Sequence, residues 1–239
     1  ESLSGLDGVI LRSAKSVFIV GADITEFTSL FSASNDKVKN WLLETHSIFN
    51  RIEDLPFPSV CLINGVCLGG GFELALTATY RLAAPTASVG LPETQLGIIP
   101  GWGGTIRLPR LIGADNAIEW IAGGKHNKPE VAFKVGAIDA IVTEDNLMRA
   151  AKKIIQSKSN TNWQEIQLRK KKPLKLISEI ETKMIFGTAK AFIMGKVGKN
   201  YPAPLKALDV MEKSAALSRE DANLIEINGF IEVPKPEVA

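Results

Sequence analysis

Histidine is scarce in this sequence of 239 residues: His46 and His126 are the only two. No Gly-x-Ser-x-Gly elbow accompanies them, so Ser-His-Asp chemistry has little to build on. Cysteine is equally rare. Cys61 and Cys67 lie in an apolar run with no His or Cys at metal-ligand spacing, which predicts no metal site and, as the simplest reading, a reduced, cytoplasmic setting, a disulfide being the alternative. An excess of one charge is missing as well: 28 Lys and Arg stand against 26 Asp and Glu, a net charge of +2. That balance gives neither nucleic acid nor an anionic membrane surface an electrostatic hold, and neither is expected as a partner. No apolar run reaches the roughly 20 residues of a membrane span. What the sequence does have is core-forming material, 45% hydrophobic against 23% charged, which excludes disorder of the whole. The length predicts one large domain, or one with an appendage.

Patterning then orders the chain. Short β-type runs at 8–13 and 17–20 precede a helical period over 35–55, whose stripe is Val38, Trp41, Leu42, Thr45, Ile48, Phe49 and Ile52. Pro56 and Pro58 stop it. A buried-type strand at 60–63 runs into the Asn64-Gly65 turn, Gly69-Gly70-Gly71 opens a helix to about residue 79, and 81–84 reads as a strand. This alternation predicts α/β architecture with crossover connections. Beyond residue 103 helices take over, at about 104–111, 115–122, 128–135, 146–156, 177–194 and 204–218, with one strand at 138–142. Residues 157–162 read as a polar loop, 169–173 as a basic, solvated hinge, and 233–239 as a linker.

Chemistry concentrates on glycine turns. The amides of Gly69-Gly70-Gly71 can converge at a helix N-terminus and hold a phosphate or an oxyanion. The same glycines also suit a tight strand-to-helix turn, and the run matches neither a Walker loop nor a full Gly-x-Gly-x-x-Gly. Glu73 follows in the first helical turn, where an acid also favours the helix dipole. A second carboxylate, Glu93, sits after Pro92 on the next glycine-rich turn, where it also reads as an ordinary loop acid. Held near one water, two such carboxylates form an acid/base pair, since close carboxylates resist joint ionisation. Trp102, between glycines, either lines a pocket or caps the core. His46 reads as a surface or boundary residue, His126 as a turn residue, and Lys170-Lys171-Lys172 as a solvated face.

Three segments in order resemble the enoyl-CoA hydratase (crotonase) superfamily: Gly21-Ala22-Asp23-Ile24, then Asn64 through Leu74, then Gly90-Leu91-Pro92-Glu93 with Pro100-Gly101-Trp102-Gly103-Gly104-Thr105. Residues 18–27, 49–56 and 199–204 are similar to the hydratase part of the bacterial multifunctional fatty-acid oxidation α-subunit. The resemblance implies a crotonase-like (ClpP/crotonase) spiral of β-β-α repeats with C-terminal helices. It implies a hydratase/isomerase domain over 1–195, with the family's opening strand, hairpin partner and first helix absent. Residues 196–239 would then lead toward a missing 3-hydroxyacyl-CoA dehydrogenase part.

Carried onto this chain residue by residue, the resemblance makes Glu73 and Glu93 catalytic and the N–H groups of Ala22 and Gly70 an oxyanion hole. Gly21, Asp23, Ile24, Gly69, Gly71, Pro92 and Trp102 would bind substrate. The implied activity is hydration of a 2-enoyl-CoA in fatty-acid β-oxidation. Δ3-Δ2-enoyl-CoA isomerisation and a catalytically incomplete interaction module stand as alternatives. An acyl-CoA would be the substrate and no cofactor is expected, NAD belonging only to the dehydrogenase part. A thiolase β-subunit or self-association would supply the partner. Phe72 and Trp102 are bulkier than the family's pattern, which implies an altered acyl fit. Thr25 replaces a Lys near the CoA adenine.

Overall fold

Strands come in pairs along this chain. The computed structural model describes residues 5–21, 32–157, 162–174, 178–197 and 201–233. In it β1 (Val9–Arg12) is followed by β2 (Ile19–Val20), β3 (Ser59–Ile63) by β4 (Val66–Leu68), and β5 (Tyr80–Ala83) by β6 (Ser88–Gly90). The first strand of each pair enters one sheet of order β1-β3-β5-β7, completed by β7 (Ala140–Ile141). The second enters another of order β2-β4-β6. All pairings are parallel, so each return needs a crossover. The helices α1 (Asn35–Glu53) and α2 (Gly70–Thr77) lie in two of them. Each turn of the resulting spiral adds one strand to each sheet. β3 is buried at every position, as a parallel strand covered on both faces must be.

The expected stripe of α1 is rotated. Its buried face is Val38, Leu42, His46, Phe49 and Glu53, while Ile48 is 53% exposed. Two polar residues enter the interior because partners wait for them there. Ser34 caps this helix by accepting the Lys37 N–H at 3.4 Å.

The helices that follow are α3 (Gly104–Ile112), α4 (Ala114–Gly123), α5 (Pro129–Val135), α6 (Glu144–Gln156), α7 (Trp163–Lys171), α8 (Glu179–Val197), α9 (Ala203–Ser214) and α10 (Arg219–Glu232). Two of them correct the sequence reading. The expected basic hinge at 169–173 is largely the end of α7, and Lys170 is fully buried. Its ammonium donates to the carbonyls of Leu76, Thr77 and Ala78 at 3.0, 2.7 and 3.0 Å, closing the C-terminus of α2. A charge with four oxygen partners, Glu53 included, is held inside where a run of lysines alone reads as a wet surface.

The second correction is α10: half of its stripe, Arg219, Ala222, Asn223, Glu226, Ile227 and Phe230, is polar, so no apolar period marks this helix in the sequence. Both α9 and α10 pack on α3, and Ala207, Leu208, Met211, Ile227 and Phe230 belong to the principal hydrophobic cluster. Residues on both sides of the expected 195/196 division thus share one hydrophobic cluster. The polar loop expected at 157–162 and the tail at 233–239 lie mostly outside the described residues. No helix among the described residues is long and apolar enough to cross a membrane.

Candidate active site

The strands of the second sheet are parallel neighbours, so their C-terminal ends deliver three turns to one place. Gly21 follows β2, Gly69 and Gly70 follow β4, and Pro92 and Glu93 follow β6, all within three residues of the strand end. Ladder bonds continue into the turns, from Gly21 N–H to Leu68 C=O at 2.8 Å and from Gly69 N–H to Gly90 C=O at 3.0 Å. A cavity of about 370 Å³ opens there, as expected at strand C-termini in open α/β sheets. Among the described residues its wall is apolar apart from two carboxylates, those of Glu73 and Glu93.

Glycine is required at the β4–α2 turn on two counts. Gly69 has φ +56°, and a Cβ there would stand 3.1 Å from Glu93 Oε1. At Gly70 the Trp102 ring leaves no room for a Cβ at all. As the first residue of α2, Gly70 has an N–H with no acceptor inside its own helix. Gly70 lines the cavity at the positive end of the helix dipole.

Glu73 sits in the first turn of α2 with its side chain buried. Its Oε1 accepts the N–H of Trp102 at 2.8 Å and that of Gly104 at 2.7 Å. Burial, with the charges of Glu93 and Glu226 nearby, raises its carboxyl well above the usual range, against the pull of those two amides. Glu93 opens a 3₁₀ turn, Glu93–Leu96, and is also buried. Neither of its carboxyl oxygens has a hydrogen-bond partner among the described residues. Burial pushes it up to about 8, its own backbone N–H opposing and Glu226 adding to the rise.

Trp102 is fixed by its neighbours. Its ring meets those of Trp41 and Phe49 edge to face, at centroid distances of 5.5 and 5.8 Å. Its carbonyl accepts from Arg107 Nη1 at 3.0 Å, and Arg107 Nε in turn pairs with Glu53 at 3.1 Å. A buried ion network thus reaches the backbone that holds Glu73.

Of the residues expected from the sequence, the structure gathers Gly21, Gly69, Gly70, Glu73, Pro92, Glu93 and Trp102 around the cavity. Gly71 instead packs on the Ile19 carbonyl, on the sheet side of the turn. Ala22, Asp23, Ile24 and Thr25 lie outside the described residues. Phe72, expected to alter the acyl fit, faces the core against Trp120 at 6.5 Å. His46 is not a surface residue: it is 3% exposed, with Nε2 3.3 Å from Glu226 Oε1. His126 is exposed in its turn.

Sequence reasoning missed Trp41, Phe230 and Glu226. The first two line the cavity, and Glu226 lies behind it. The available signal was spacing: Glu226 falls on one helical face with Ala222, Ile227 and Phe230, where an unpaired acid would be costly.

The β-β-α spiral with a cavity at the ends of its second sheet is the crotonase fold. Residues 4–190 match the family described as Enoyl-CoA hydratase/isomerase. Among solved structures, an enoyl-CoA hydratase from Bacillus anthracis is 30% identical, with 89% of this chain and 81% of that one covered and a TM-score of 0.59. An enoyl-CoA hydratase from Thermoplasma volcanium GSS1 is 28% identical over 84% and 77%, with a TM-score of 0.58. An enoyl-CoA hydratase/carnithine racemase from Magnetospirillum magneticum, 22% identical over 88% and 78% with a TM-score of 0.61, shares the fold. This chain belongs to the enoyl-CoA hydratase/isomerase family.

Proposed function

We propose that this protein adds water, syn, across the double bond of a trans-2-enoyl-CoA to give a 3-hydroxyacyl-CoA, a step of fatty-acid β-oxidation. One observation carries the reading: two buried carboxylates of different hydrogen-bonding status face a single apolar cavity. Such a pair resists holding two charges at once. The charge belongs on Glu73, where two amides favour the ionised form, and the proton on Glu93, whose oxygens accept none.

Chemistry follows from that division. The thioester oxygen accepts the Gly70 N–H, and Ala22 supplies the second donor expected from the family resemblance. As enolate charge grows on this oxygen the donors tighten, each worth about 2.7–4 kcal/mol of transition-state stabilisation. Glu73 orients a water and takes its proton as the oxygen bonds to C3. Glu93 delivers its proton to C2, and the C2=C3 π bond is consumed. Glu93 is then ionised and Glu73 protonated; passing that proton back across the cavity restores the pair. The apolar wall excludes other water and strengthens both charges' effects.

The test is turnover of crotonyl-CoA, followed by loss of the conjugated thioester. Glu73→Gln and Glu93→Gln should each lower kcat by roughly 10²- to 10⁴-fold. Full activity in both variants would sink the assignment. A second reading, isomerisation of a 3-enoyl-CoA, rests on Glu93 alone, whose unpartnered carboxyl suffices to shuttle one proton. It predicts 3-enoyl-CoA turnover that survives Glu73→Gln. Membership of a multifunctional complex with a thiolase partner is supported by the likeness of residues 199–204. The intact mass of the native protein and its co-purifying subunits test that part.

A further inference from the structure

Glu226 lies in α10, beyond residues 4–190 of the family match and far from Glu73 in sequence. Its carboxylate is fully buried and fully used. Oε1 accepts the Gly103 N–H at 2.6 Å, and Oε2 accepts the Thr105 N–H at 2.9 Å as well as the Thr105 hydroxyl. His46 Nε2 stands 3.3 Å from Oε1. The interleaved amides, those of Trp102 and Gly104, go to Glu73. Four successive N–H groups are therefore dealt alternately to two carboxylates on opposite sides of one short turn. Rotating any peptide plane toward one acid takes a donor from the other.

We infer that Glu226 is a positioning residue for the hydration: it clamps residues 102–105 so that the Trp102 and Gly104 amides hold the Glu73 carboxylate at the cavity. The inference rests on the hydratase reading and extends it to a helix that no motif marked. α10 is held firmly enough to act as a clamp. Arg219 at its start binds Asp54 through two bonds of 2.7 and 2.8 Å and Glu53 at 2.9 Å. Phe230, four residues after Glu226 and on the same face, packs against Gly101 and lines the cavity.

A fixed negative charge behind the pair also bears on its protons. The groups that face Glu226 are His46 from α1, Glu73 from α2, Glu93 from the 3₁₀ turn and Arg110 from α3. Its charge opposes ionisation of either cavity carboxyl and so raises the pH at which the pair loses its protons.

Two variants separate the geometric from the electrostatic effect. Glu226→Asp keeps the charge but is too short to reach both amides. Its kcat should fall roughly 10- to 100-fold with KM little changed and the alkaline limb of the pH–rate profile in place. Glu226→Gln loses the charge as well, so kcat should fall and the alkaline limb move down by about one pH unit. The carboxyl titrations of Glu73 and Glu93, read by NMR on carbon-labelled glutamate, should move the same way without any turnover. If Glu226→Gln does not fold, Glu226→Asp carries the test. A folded variant with wild-type kcat, or a folded Gln variant with unmoved titrations, overturns the inference. If the wild-type protein turns over no enoyl-CoA yet its titrations shift in the Gln variant, the clamp stands and the hydratase reading falls.

Discussion

The Lys170 ammonium and the Glu53 carboxylate lie 3.1 Å apart, both entirely buried. Arg107 and Arg219 share the same carboxylate, so one acid on α1 ties together α3, α7 and α10. Burial works against the charge on Glu53, yet the three cations hold its carboxyl down at about 2. Replacing Lys170 with Met removes one of those cations and the donor that closes α2. Breaking a buried pair from one side costs about 3–5 kcal/mol. The two remaining arginines put the expected loss for Lys170→Met at the lower end of that range, measured by urea denaturation. A loss below about 1 kcal/mol would show that the ion pair is not coupled to the fold.

Glu93 makes an opposite prediction. An unfolded chain releases this proton near 4.5, whereas the folded protein holds it to about 8. Across that window the native state binds more protons, so stability from this group is complete at low pH and declines as pH rises. Glu93→Gln should therefore cost activity yet raise unfolding free energy by about 1–3 kcal/mol near pH 8, with no gain near pH 4. Denaturation curves at the two pH values decide it; an equal effect at both would rule out the burial of an ionisable group as the cause.

Gly104 is the tightest neighbour of the Glu73 carboxylate. A Cβ there would stand 2.9 Å from Glu73 Oε1 and 2.8 Å from Pro100 Cβ. Gly104→Ala should displace the carboxylate and lower crotonyl-CoA turnover by roughly 100-fold. Overpacking should cost about 1–3 kcal/mol of stability besides. Retention of wild-type kcat would mean that the Glu73 carboxylate position is not critical.

Both cysteines should be inert in the folded protein. Burial pushes the Cys61 thiol up to about 12, Arg81 opposing, and raises Cys67 well above its ordinary range, with Cys61 adding to the rise. Alkylation should wait for unfolding and accelerate only through the urea transition. Modification at the rate of a free thiol in native buffer would contradict the burial of strands β3 and β4.

Much of this protein was legible from its residues alone. An unbroken apolar run marked the strand at 60–63 and a period of 3.6 marked most helices, because burial on both faces or on one leaves that pattern in the sequence. Glycine turns after strands marked where Glu73 and Glu93 would be presented, since close backbone approach admits no other residue there. What resisted reading was every polar residue whose burial depends on a distant partner. Lys170 looks solvated beside Lys171 until Glu53 and three carbonyls surround it. His46 looks like a surface residue and Glu226 like any helical acid until each meets the other. Local pattern determined where the elements and the acids would be. Only the tertiary structure decided which charges go inside, because the cost of burying a charge is set by partners that here stand more than 100 residues away.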